Sequence, residues 1–119
     1  MEMLFEKARD TGRLLGQTEE YKALERARQR ISEDRDLVTL LNRLGELEVE
    51  IGRALQRGEE PSEQSAAEYE QAFADVQSKS QYQSLVAAQA NFDKVVARVN
   101  EEISKGIESG AQSRIILPS

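Results

Sequence analysis

The stretch Asp34 to Arg57, DRDLVTLLNRLGELEVEIGRALQR, constrains this chain more than any other. Leu37, Leu40, Leu44, Leu47 and Ile51 recur at alternating steps of three and four, and Leu41, Ala54 and Leu55 widen the stripe. That spacing places the large apolar side chains on one side of a helix about 36 Å long. A face of that size must be covered, so the remaining segments read as the material that covers it.

They carry the same periodicity. A first helix is expected from Glu2 to Leu15, with Leu4, Phe5, Ala8 and Leu15 roughly on one side and Gly16 as its stop. Thr18 can cap a second helix whose first turn holds Glu19 and Glu20, and whose apolar side is Tyr21, Leu24, Ala27 and Ile31. Ser32 or Asp34 can cap the third. Gly58 suits a left-handed helix end, and Glu59-Glu60-Pro61-Ser62 is the clearest turn, with Ser62 capping the fourth helix. So short a connection favours antiparallel neighbours. The fourth helix is expected over Ser62–Ser78, with Ala66, Tyr69, Phe73 and Val76 inward. Ser78-Lys79-Ser80 marks a break, and a fifth helix is expected from Ser80 to Glu108. Its stripe runs Tyr82, Leu85, Ala88, Phe92, Val95, Val96, Val99, Ile103 and Ile107, which makes it the natural partner of the third.

The expected fold is therefore all-α, with about five helices. Two long antiparallel amphipathic helices have shorter ones packed around them, in a single domain over 1–109. Gly110 is expected to end the last helix and open a C-terminal tail over 110–119, where Ile115, Ile116 and Leu117 form an apolar cluster. That cluster folds back on its own bundle or simply frays, or else it hooks a second subunit or partner. With 119 residues the interior is limited. Apolar faces left over are then covered by a second copy, and a homo-oligomer is expected. Gly45 and Gly52 stand seven apart beside the leucine stripe. Each costs a helix interior about 1 kcal/mol against Ala, so they are either tolerated surface glycines or a place where another helix comes close.

Composition removes several kinds of chemistry. His and Cys are both absent, which excludes a disulfide, a thiolate zinc site, a cysteine-held iron–sulfur cluster and any hydrolase with an imidazole base. Glu46, Glu48 and Glu50 cluster, but they lie off the apolar stripe and lack the Glu-x-x-His partners of a di-iron bundle. No catalytic, cofactor-binding or metal-binding residue is assigned. No run approaches the apolar length that crosses a bilayer, and MEMLFEKARD is not expected to act as a secretory leader. A cytoplasmic chain is expected. The net charge is −6, the wrong sign for a typical nucleic-acid binder. Lys22, Arg26 and Arg30, with Arg28 nearby, make a basic stripe on the second helix, interrupted by Glu19, Glu20, Glu25 and Glu33. It is read as a solvated or protein-facing stripe, with direct RNA or DNA binding as the alternative.

The order of parts resembles a known family. Thr18-Glu-Glu-Tyr21 leads into Tyr-x-x-Leu-x-x-Ala, followed by the leucine-rich third helix and Gly58-Glu-Glu-Pro-Ser62. Ser80-Gln-Tyr82 then opens the long helix that ends in Val99-Asn-Glu-Glu-Ile103. Over about residues 1 to 109 this is similar to the YlbF/YmcA family of control-of-competence regulators and their YheA-like relatives. The resemblance implies a non-catalytic, all-helical cytoplasmic regulator that acts through protein partners. Those partners would be related family members or a ribonuclease complex, with effects on RNA processing, competence, sporulation and biofilm formation. Some members carry cysteines associated with iron–sulfur clusters. This chain has none, so that cofactor does not carry over.

Overall fold

The computed structural model describes residues 1–116, with side chains through residue 112. Five helices account for these residues: α1 (Glu2–Gly16), α2 (Glu19–Ser32), α3 (Arg35–Gln56), α4 (Glu63–Gln77) and α5 (Ser80–Ile116). The described residues are 88% helical, α3 packs on α4, and α2 packs on α5. The third helix thus takes α4 as its close neighbour, where matched length had suggested α5.

Each joint has a local cause. The Thr18 hydroxyl donates to the Leu15 carbonyl at 2.7 Å and accepts the Tyr21 N–H at 3.1 Å, so one side chain closes α1 and opens α2. Gly16 lies in that joint but is not left-handed. Between α2 and α3, Ser32 bonds back to the Gln29 carbonyl, and Asp34 is the cap that accepts from Leu37 N–H. After α3 the chain turns through Gly58 at φ 73°, the only positive φ among the described residues. Gly58 N–H donates to the Leu55 carbonyl and Glu59 N–H to that of Ala54. This is a complete Schellman closure, which needs the left-handed residue that glycine supplies without steric cost. Ser62 then accepts the Ser65 N–H and starts α4.

The chain forms two compact units. One comprises Glu25–Ala87, holding most of α2, all of α3 and α4, and the first turns of α5. Its core is Ile31, Leu37, Leu44, Ala72 and Val76, with Leu40, Leu41, Tyr69, Tyr82 and Leu85 packed around it. Leu47 and Ala27 are buried as well. Fully burying a leucine is worth about 1.5–3 kcal/mol, so the leucine stripe of α3 supplies much of this unit's stability. On α4 the inward line is Tyr69, Ala72 and Val76. Ala66 is exposed and Phe73 is 37% exposed. Steps of three and four from Tyr69 reach Ala72 and Val76, while Phe73 falls about 100° further round the helix from Ala72. Phe73 stacks on Tyr69 at the rim instead, with centroids 6.0 Å apart.

The other unit comprises Met1–Leu24 and α5 from Ala88 onward. Leu24 and Ala88 are buried here, and the Tyr21 ring meets Phe92 edge-on at 5.3 Å. Helix α5 does not stop near Glu108 or at Gly110 but continues to Ile116. Gly110 keeps helical dihedrals, and only a left-handed residue with a capping bond ends a helix as Gly58 ends α3. Ile115 and Ile116 therefore fall within the backbone span of α5. Their side chains, and all of Leu117, lie outside the described residues.

Candidate functional site

Helices α3 and α4 form an antiparallel hairpin whose outer side is polar and well bonded. Arg43 places its guanidinium fork on Glu68, with Nη2 donating to Oε1 at 2.8 Å and Nε to Oε2, while Nη1 reaches Glu46 at 3.1 Å. The Arg43 hydrogen bonds hold the Glu68 carboxyl below the usual carboxylate range. The bonds to Glu68, and then to Glu46, raise Arg43 further from any deprotonation. Nearer the turn, Ser65 donates to Glu50 at 3.2 Å and the Tyr69 hydroxyl to Glu48 at 3.4 Å. Desolvation pushes the Tyr69 phenol up, and the neighbouring Glu48 charge adds to this.

Beside these contacts α3 and α4 leave an open groove of about 520 Å³. Ile51, Leu55, Pro61 and Tyr69 give it apolar walls, and Glu48 and Glu70 stand at its edge. Gly52 also lines it. A methyl group built on Gly52, or on Gly45, would meet no atom within 4 Å. Neither glycine accommodates a helix of the same chain, so both keep their side of α3 open.

The basic residues of α2 are dispersed. Lys22 lies 3.8 Å from Glu19, and Arg28 pairs with Glu25 at 2.9 Å. Arg26 and Arg30 are exposed one turn apart, whereas Arg28 is about 200° round the helix from Arg26. Arg30 contributes to a polar groove with Glu33, Asp34, Arg35, Asp36 and Gln81, where acids and bases alternate. Asp34 spans that groove's floor: Oδ1 caps α3 and Oδ2 accepts from Gln81 at 3.1 Å.

Apolar surface is the other feature. Helix α1 buries no residue, and Met3, Leu4, Phe5 and Leu14 are all more than half exposed. Ile103 and Ile107 on α5 are also exposed, although they continue that helix's apolar stripe. Among the described residues no group of three or more His, Cys, Asp or Glu is placed to hold a metal ion. None of the helices described is long and apolar enough to cross a membrane.

The family model described as control of competence regulator ComK, YlbF/YmcA, matches residues 4–108. The chain belongs to this family, whose name marks it as a regulator of competence and not as a known class of enzyme. No curated protein and no solved structure matches it.

Proposed function

We propose that this chain is a non-catalytic cytoplasmic regulator that works as an adaptor through protein–protein contact. It resembles family members that modulate RNA processing and, through it, competence, sporulation and biofilm development. The observation that carries this reading is α1. A 15-residue helix with Met3, Leu4, Phe5 and Leu14 outward and nothing buried has no internal reason to be amphipathic. Apolar helix faces of this kind are what helix-to-helix recognition uses.

A second copy of the chain covers part of this surface, and a related family member or a ribonuclease complex is the further partner. Glu19 beside Lys22 and Glu25 beside Arg28 break up the positive field of the α2 stripe, which favours protein over nucleic acid, while Arg26 and Arg30 stay exposed. Affinity purification from the native host, with mass spectrometry of what co-elutes, tests the reading. A specific protein partner is expected, and recovery of none would defeat it. Sedimentation of the purified chain tests self-association. Twice the chain mass is expected, falling to a single chain for Leu4→Glu with Phe5→Glu while helicity is retained. A single chain at every concentration would remove the homo-oligomer.

A further inference from the structure

The open groove between α3 and α4 differs from the rest of the molecule in charge. Residues 46–70 hold eight Glu and two Arg, a net −6. The whole chain is also −6, so the remainder is balanced, with fourteen acids against fourteen bases. The protein is not acidic in general; its surplus sits on this hairpin. Arg43 reaches in to pair with Glu46 and Glu68. Glu48 and Glu70, at the groove's edge, make no ion pair among the described residues.

The groove's interior is apolar. Leu55 is 62% exposed there, beside Ile51 and Tyr69. Gly52 opens onto the same space at a cost in helix propensity, and a Cβ at that position would meet nothing. Removing that side chain lets another backbone approach α3 closely.

We propose that this groove docks a basic amphipathic helix of a partner protein. Its apolar side rests on Ile51, Leu55 and Tyr69, and its Lys or Arg side chains meet Glu48 and Glu70. The proposal rests on the reading that the chain acts by protein contact, and it names the chemistry of one such partner. The charge argues for each part of the choice. A second copy docked symmetrically would set this acidic hairpin against itself. Nucleic acid would bring phosphate to carboxylate. A helix with apolar residues at i, i+3, i+4 and i+7, flanked by cations, satisfies both floor and rim.

The test uses the full chain and a labelled peptide of about eighteen residues, long enough to form a helix on binding. The peptide carries Leu at i, i+3, i+4 and i+7 with Lys elsewhere. Its comparisons are the same peptide with Glu for Lys, and a scrambled Lys/Leu peptide of identical composition. The patterned Lys peptide is expected to bind, and the other two to bind at least about tenfold more weakly. Gly52→Leu fills the groove from an open helix position, so it should weaken binding by about tenfold or more without lowering the melting temperature. Glu48→Lys with Glu70→Lys should do the same by reversing the rim. Absence of binding by the patterned peptide would overturn the proposal. So would equal binding of the scrambled peptide, which would show diffuse charge attraction, or unchanged binding by Gly52→Leu. Purification from the native host separates this proposal from the reading beneath it. A partner recovered equally by wild type and Gly52→Leu overturns the groove and leaves the protein-contact reading standing. Recovery of no partner by wild type overturns that reading.

Discussion

Leu47 has no exposed surface and sits midway along α3. Truncating it removes buried carbon and leaves a hole that its neighbours fill only partly. Leu47→Ala is expected to lower unfolding free energy by about 2–5 kcal/mol, measured by urea titration at fixed pH. Leu55, from the same stripe, is exposed, so Leu55→Ala should cost well under half as much. Glu68 gives a prediction in pH. Its folded pKa lies below the ordinary carboxylate range because the Arg43 hydrogen bonds stabilise the carboxylate. A depressed carboxylate stabilises the fold above the unfolded pKa, and that contribution is lost as pH falls through the folded value. The urea midpoint of wild type should therefore exceed that of Glu68→Gln at neutral pH by a small margin, since the pair is partly solvated. The margin should close as the solution is taken below about pH 4. A gap that stays constant down to acid would show that the Arg43 fork adds nothing through charge.

Between helices, what the sequence announces and what it conceals divide by range. Thr18, Asp34, Ser62 and Gly58 mark their helix ends legibly, because a cap or a Schellman turn is chemistry within five residues. The leucine stripe of α3 is legible for the same reason. The Arg43–Glu68 fork and the Asp34–Gln81 bond join residues 25 and 47 apart, and no local signal selects those pairs from many charged and amide side chains. Helical spacing from Ala66 and Tyr69 predicts Phe73 inside, whereas Ala72 is the buried residue; periodicity alone misplaces a contact line by one residue when a small side chain sits on it. Gly110 was expected to end α5 by composition, but a stop depends on dihedral angle. The groove was only half legible: Gly52 was costly enough to need a reason, yet which walls surround it depends on α4. The outer part of α5 carries its own expectation. Residues 101–112 are all exposed, and Arg98 with Glu101 and Glu102, and Glu102 with Lys105, are the ion pairs that brace this stretch. Amides there should exchange hydrogen far faster than those of α3, and faster still at high salt, which screens such pairs. Protection equal to that of α3 would mean that a second chain covers this stretch in solution.

For the molecule as a whole, the chain is an all-helical member of a family named for the control of competence. Its behaviour is then set by what its surfaces meet and how often. Here the uneven placement of charge acts before any contact forms. At physiological ionic strength the field of exposed charges is largely screened beyond about 8 Å, so this steering acts over short range and grows as salt is lowered. A chain whose surplus of carboxylates belongs to residues 46–70, the remainder summing to zero, attracts a cation to the α3–α4 hairpin more than to its other segments. Such a particle is turned as it approaches, so productive encounters outnumber those of random orientation. The Gly58 turn, by folding α4 back beside α3, brings the carboxylates of two helices together, and so sets the rate at which a cationic partner arrives as well as the place where it stops.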